Sequence, residues 1–366
     1  MKIKAAVART VGGALDIETL DLEPPRDHEV LVRVVATGVC HTDMVVRDGH
    51  LPTPFPVVLG HEGAGIVEAV GSAVSNVAIG DHVVMSFNSC GGCPSCQDNE
   101  PAYCHEFFPR NFFATRADGS SGLAKGGEKI HGNFFGQSSF ASYALCHDRN
   151  VVKVRRDVPL ELLGPLGCGV LTGAGAVMNS LQVSAGKSLA VFGTGSVGLS
   201  AVMAARAVGA TTIIAADTND ERLAFARTVG ATHAINPKSE DVVAKIMAIT
   251  GSGVNFSLDT TANMAVVRNA VLCLAPRGAC GILGAAPMGT ELQLDEVHFM
   301  SGGRRLIGIV EGSAAPATFI PTLVDLYANG LFPFDHMVKF YPFDQINQAI
   351  ADSESGRTIK PIVRMS

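Results

Sequence analysis

Residues 188–217 read SLAVFGTGSVGLSAVMAARAVGATTIIAAD. An apolar run, residues 188–192, leads into Gly193-Thr194-Gly195-Ser196-Val197-Gly198. An alanine-rich helical stretch follows, and then a second apolar run that ends at Asp217. The order is strand, glycine turn, helix, strand, which is the context a dinucleotide-binding βαβ unit requires. The first glycine makes the tight turn, the second admits a pyrophosphate close to the backbone, and the third lets helix and strand pack. The helix N-terminus then offers unpaired N–H groups to the phosphates. Asp217 lies 19 residues beyond Gly198. A carboxylate there accepts hydrogen bonds from ribose hydroxyls and repels a 2′-phosphate, so the spacing predicts NAD rather than NADP. Thr218 follows, with no adjacent arginine to welcome that phosphate.

Outward from this unit the alternation continues through VNFSLDTT, AVVRNAVLCLA, GACGILGA and RRLIGIVEG, as in a doubly wound parallel sheet. Before about residue 171 the texture differs: HEVLVRVVATGVC, GAGIVEAVG and DHVVMSF are short β-branched runs divided by glycine and proline. After Gly312 come an apolar helical stretch, PATFIPTLVDLYANG, and a strand-like IKPIVRM. Residues 107–136 lack periodicity and read as a long loop. The class is α/β with boundaries near 171 and 310. With 47 % hydrophobic and 17 % charged residues, the 366-residue chain has apolar material for more than one core. A net charge of -6 with no Lys/Arg run argues against a nucleic-acid partner. No eighteen-residue apolar stretch predicts a membrane span. The N-terminus lacks the apolar core of a secretory signal, so a cytoplasmic address is expected.

Nine cysteines are present, and four fall in CGGCPSCQDNEPAYC, at Cys90, Cys93, Cys96 and Cys104. In a compartment that keeps thiols reduced, such crowding points to metal rather than disulfides. Four thiolates close a tetrahedral zinc site to water, so this set is expected to hold a lobe in shape; the spacing also admits an iron–sulfur centre. Cys40 in GVCHTD, His61 in LGHEGAG and Cys168 in LGPLGCGV form a second, dispersed set. Two cysteines and one histidine are ligands of an open catalytic zinc, though spacing alone does not bring these three together.

Gly60-His61-Glu62-x2-Gly65-x5-Gly71-x2-Val74 resembles the signature of zinc-containing medium-chain alcohol dehydrogenases. The order of Cys-His-Thr-Asp, Gly-His-Glu, four cysteines, a further cysteine and the glycine fingerprint is similar to theirs over the whole chain. FFGQSSFASYAL, PLELLGPLGCGV and KFYPFDQIN further resemble the aryl (benzyl) alcohol dehydrogenases of bacteria. The resemblance implies a GroES-like β-rich catalytic domain over 1–170 that carries the structural-zinc lobe. It implies a Rossmann NAD-binding domain over 171–310 and a C-terminal segment, 311–366, completing the first domain. It also implies two zinc ions per chain, a catalytic one at Cys40, His61 and Cys168 and a structural one at the four-cysteine cluster. A homodimer or homotetramer is implied, joined near LIGIVEG.

The activity implied is reversible oxidation of a primary aromatic or allylic alcohol to its aldehyde with NAD. An allylic terpenoid (geraniol-type) alcohol is an alternative substrate. A thiol-adduct-dependent formaldehyde dehydrogenase is another reading, but it calls for a basic patch that the sequence lacks. Thr42, beside Cys40, is the expected acceptor of the alcohol proton. Asp43 is expected to orient His61 through its ring N–H, and Glu62 to approach the metal. His41 and Lys360 are expected at the cofactor phosphates. Where many relatives carry a relay histidine this chain has Val45, so the proton is expected to leave through ribose hydroxyls and water or His50. Phe87, Phe107, Phe108, Phe112 and Phe113 are expected to line an aromatic pocket.

Overall fold

The computed structural model describes residues 1–365, which form two compact units. The first unit comprises Met1–Cys168, Ala315–Ala328 and residues 335–365. The second comprises Gly169–Ala314 and Asn329–Phe334.

The first unit is built on two sheets. One is five-stranded, in the order Val57–Val58, Lys2–Ala8, Leu15–Leu22, Leu123–Lys125, Glu128–Ile130. The other is seven-stranded. Its order is Val151–Lys153, His82–Met85, Glu62–Val70, Glu29–Gly38, Lys360–Arg364, Val338–Pro342, with Tyr143–His147 also pairing Glu29–Gly38. Val30, Val32, Val34, Val67, Val83, Met85 and Val151 share one buried cluster, as expected where β-branched side chains pack across a pleated face. The pairing of Glu29–Gly38 with Glu62–Val70 shifts register twice, between Leu31 and Val32 and between Val34 and Ala36. Such irregularities re-aim side chains, and the second sets Gly38 opposite Glu62. The 107–136 segment is more regular than its composition predicts. It holds a helix, Phe107–Phe112, a hairpin of Leu123–Lys125 with Glu128–Ile130, and a short helical turn, Phe134–Gly136. Local signals are weak there because the hairpin strands are three residues long.

In the second unit a six-stranded parallel sheet runs His233–Ile235, Thr212–Ala216, Ser188–Phe192, Val254–Asp259, Leu274–Ile282, Arg305–Gly308. Numbered along this unit, the order is 3-2-1-4-5-6, that of a Rossmann sheet. Four consecutive residues of each central strand, Leu189–Phe192 and Ile213–Ala216, are buried, as in a sheet covered on both faces. The glycine fingerprint leaves the C-terminal end of the first strand, where the strand order reverses and such folds bind ligands.

Among the described residues no helix is long and apolar enough to cross a membrane.

Candidate metal and dinucleotide sites

Cys40 ends the strand-to-helix turn that begins Glu29–Gly38 → His41–Arg47, and its ψ of 152° is still extended. Asp43, three residues on and 1 % exposed, folds back so that its Oδ2 accepts from the Cys40 N–H at 3.0 Å. Its Oδ1 accepts from the Gly60 N–H at 3.0 Å and faces His61 Nδ1 at 2.9 Å. One carboxylate therefore ties two of the dispersed residues into one frame. Gly60 has φ of +88°, and a Cβ there would meet the Phe140 main-chain nitrogen at 2.5 Å. The glycine before His61 is thus required by backbone angle and by close approach.

With Nδ1 facing Asp43, His61 keeps Nε2 for another partner. That atom is buried and makes no hydrogen bond among the described residues. Cys40, His61 and Cys168 bring their ligand atoms within 4.8 Å of one another. A nitrogen and two sulfurs of this kind suit zinc and leave a fourth position open. A hydrogen bond with Cys168 does most to hold the Cys40 thiol well below the ordinary thiol range, against the burial that favours its neutral form. Burial works against a charged His61, yet the Asp43 carboxylate and Cys40 raise it well above ordinary imidazole.

Thr42 Oγ1 lies 3.9 Å from Cys40 Sγ, and His41 is exposed. Glu62 and Lys360 are both buried, at 0 % and 1 % exposure. The Lys360 ammonium donates to both Glu62 carboxylate oxygens at 2.9 Å and to the Val39 carbonyl at 3.3 Å. The expected phosphate contact at Lys360 is therefore corrected: its three N–H donors are spent inside the protein, balancing Glu62. Burial disfavours the ammonium, but the Glu62 charge outweighs it and moves Lys360 above ordinary lysine. A Cβ on Gly38 would fall 2.0 Å from Glu62 Oε2, so that glycine makes the space the carboxylate fills.

Around His61 the structure sets rings that sequence reading passed over. Phe135 stacks on the imidazole with centroids 4.5 Å apart, and Phe134 meets it edge-on at 5.4 Å. Phe112 lies 5.1 Å from Phe135, and Phe107 lies 6.5 Å from Phe135 and 5.7 Å from Phe87. Phe108 and Phe113, by contrast, are 41 % and 44 % exposed. Asn133, Phe135 and Ser138 all take positive φ (73°, 50° and 51°), costly conformations that cluster at functional sites. The buried Gln137 amide holds this loop to the metal residues. Its Nε2 donates to the His61 and Ser86 carbonyls at 2.9 and 3.2 Å, and its Oε1 accepts from Gly63 N–H at 3.1 Å. The paired aromatics of GNFFGQSSF were the available signal.

Cys90, Cys93, Cys96 and Cys104 likewise bring their sulfurs within 4.8 Å of one another. Main-chain N–H groups point at the sulfurs: Cys93 N to Cys90 Sγ at 3.2 Å, Cys90 N to Cys104 Sγ at 3.2 Å, and His105 N to Cys93 Sγ at 3.5 Å. The His105 donor does most to lower the Cys93 thiol to about 6, towards the thiolate a metal binds, whereas burial pushes Cys104 up to about 12. All nine cysteines are free of disulfides.

In the second unit the three fingerprint glycines differ in what surrounds them. Gly193 has φ of +88°. A Cβ on Gly195 would meet nothing within 4 Å, whereas one on Gly198 would fall 1.9 Å from the Gly193 carbonyl oxygen. The open position and the tight one match room for a pyrophosphate and close helix packing. The helix Ser196–Ala207 starts there with Ser196 and Val197 in its first turn. Asp217 Oδ2 accepts from Thr194 N–H at 2.6 Å and from its hydroxyl at 2.7 Å, and Oδ1 accepts from Asn219 N–H at 2.9 Å. Arg222, unremarked in the sequence, keeps Nε buried with no hydrogen-bond partner among the described residues.

Residues 26–156 match the alcohol dehydrogenase GroES-like domain, and residues 196–329 match the zinc-binding dehydrogenase family. A geraniol dehydrogenase of Castellaniella defragrans is 48 % identical over 98 % of this chain and 97 % of its own. The crystal structure of benzyl alcohol dehydrogenase from Acinetobacter calcoaceticus superposes with a TM-score of 0.97 at 49 % identity, covering 100 % of both chains. An alcohol dehydrogenase zinc-binding domain protein from Burkholderia ambifaria superposes with a TM-score of 0.99 at 55 % identity, over 100 % of this chain and 99 % of its own.

Proposed function

We propose that this chain, which belongs to the zinc-binding medium-chain alcohol dehydrogenase family, oxidises primary aromatic alcohols of the benzyl type reversibly to aldehydes with NAD⁺. The observation that carries the reading is the convergence of Cys40, His61 and Cys168, with Phe134 and Phe135 packed against the His61 ring. These three residues hold the catalytic zinc, and Cys90, Cys93, Cys96 and Cys104 hold a structural one. When bound, the catalytic zinc lowers the pKa of the alcohol hydroxyl, and NAD⁺ supplies the hydride acceptor.

The chain's own residues do the rest. Asp43 fixes His61 with its proton on Nδ1, which directs the Nε2 lone pair to the metal. Thr42 Oγ1 takes the alcohol proton, and Val45 denies it the histidine route, so it leaves by ribose hydroxyls and water. Half-buried Phe107 and Phe112, packed against Phe135, favour flat substrates, and conjugation in the product aldehyde eases the oxidation. Asp217 accepts from the adenosine ribose hydroxyls and selects NAD. An allylic terpenoid alcohol is the second reading, favoured by the 48 % identity to a geraniol dehydrogenase.

Cysteines used as metal ligands rather than disulfides fit a cytoplasmic enzyme. A homodimer or homotetramer fits the position of Arg305–Gly308 at the end of the six-stranded sheet and the exposed Val297 and Met300 just before it. Steady-state kcat/KM for benzyl alcohol, geraniol and ethanol, each with NAD⁺ and NADP⁺, tests the reading. Benzyl alcohol or geraniol with NAD⁺ should lead, and a preference for ethanol or for NADP⁺ would refute it.

A further inference from the structure

Thr194 occupies the first variable position of the fingerprint, where the glycine roles require no particular side chain. It is 0 % exposed, and both its N–H and its hydroxyl donate to one oxygen of Asp217, at 2.6 and 2.7 Å. Asn219 N–H donates to the other oxygen at 2.9 Å. The main-chain donor would be present whatever residue stood at 194. The hydroxyl bond depends on the side chain at 194, and it reaches Asp217 across 23 residues of sequence.

We infer that Thr194 is a positioning residue for dinucleotide selectivity: its hydroxyl locks the Asp217 carboxylate so that the anion stands where the ribose 2′-oxygen binds. The inference rests on the NAD reading above. A carboxylate discriminates by accepting from a 2′-hydroxyl and repelling a 2′-phosphate, and both effects depend on its staying in place. Two donors on one oxygen and one on the other leave it no free rotation about χ2. Removing one charge-assisted bond lets the carboxylate turn aside, so a hydroxyl loses a prepared acceptor and a phosphate loses part of its repulsion.

The test is equilibrium binding, by calorimetry, of ADP-ribose and of 2′-phospho-ADP-ribose to the full chain. Neither ligand carries a nicotinamide, so the readout is independent of turnover. Thr194→Val keeps the shape and the main-chain bond but not the hydroxyl; Thr194→Ser restores the donor, and Thr194→Ala serves if the valine variant is not recovered folded. In wild type ADP-ribose should bind more tightly. In Thr194→Val or Thr194→Ala the preference should fall by about tenfold, the scale of one charge-assisted hydrogen bond, mostly through weaker ADP-ribose binding. Thr194→Ser should recover most of it. An unchanged preference in the hydroxyl-free variant, or no recovery in Thr194→Ser, overturns the inference while leaving the NAD reading intact. A wild-type preference for the 2′-phosphorylated ligand overturns both.

Discussion

Lys360 and Glu62 pair at 2.9 Å with almost no exposure; Glu62 follows His61 in the chain, and Lys360 also reaches the Val39 carbonyl, next to Cys40. Removing one member of a buried ion pair leaves an uncompensated charge and costs about 3–5 kcal/mol. Lys360→Met is therefore expected to lower the unfolding free energy by that amount in denaturant titrations, and Lys360→Met with Glu62→Gln to recover most of it. Thr42→Val should lower turnover by about 10²–10⁴-fold, the range for a positioned proton acceptor, with zinc content unchanged; normal turnover would remove Thr42 from the proton path. Asp43→Asn keeps the shape but replaces the acceptor at His61, and zinc affinity measured by chelator competition should fall about 10–100-fold. The sequence made Asp43 legible because it sits three residues from Cys40. It misled at Lys360, whose polar neighbours in GRTIKP suggest solvent. Its partner lies 298 residues away, and no local pattern announces a contact of that range.

At the scale of elements, the strands Lys2–Ala8 and Leu15–Leu22 pair antiparallel, and Arg9 just beyond the first grips Glu18 on the second. Arg9 Nε and Nη2 meet the two Glu18 oxygens at 2.8 and 2.6 Å, and its Nη1 reaches Glu128 of the neighbouring hairpin. The Arg9 hydrogen bonds, the largest cause, lower Glu18 to about 2. A carboxylate lowered on folding contributes stability above its unfolded value, near 4.3, and loses it as pH falls towards the folded one. After allowance for solvent screening the contribution is about 1 kcal/mol. Glu18→Gln should thus be less stable than wild type at pH 7, and the difference should shrink steadily between pH 4.5 and pH 2, read from melting curves across that range. A constant gap would contradict the pairing. Elements of strong period were readable: the fingerprint, its helix and the second strand stand where SLAVFGTGSVG and TTIIAAD put them. The hairpin and turn within 107–136 were not, because three-residue strands carry no period. Phe134 and Phe135 reach His61 only through a loop of positive φ angles.

The whole molecule divides its chemistry between two units, the metal residues in the first and the glycine fingerprint in the second. The four-cysteine lobe spans fifteen residues with short helices at Pro94–Gln97 and Pro101–Tyr103, too little to bury a core of its own. Its order is expected to depend on metal. Prolonged chelation should therefore lower the melting temperature and raise proteolysis within 90–113, and a chelated protein as resistant as the loaded one would contradict that. Motif order across the whole chain made the family legible, since each motif constrains a different part of the fold. The convergence of Cys40, His61 and Cys168 was a matter of three-dimensional closure that spacing could not supply.

Zinc per chain, measured by elemental analysis in wild type and in Cys168→Ala, tests that closure most directly. Two ions in the wild type and one in the variant, with alcohol oxidation lost only in the variant, is the predicted result. Equal zinc in both proteins, or undiminished oxidation in Cys168→Ala, would contradict it.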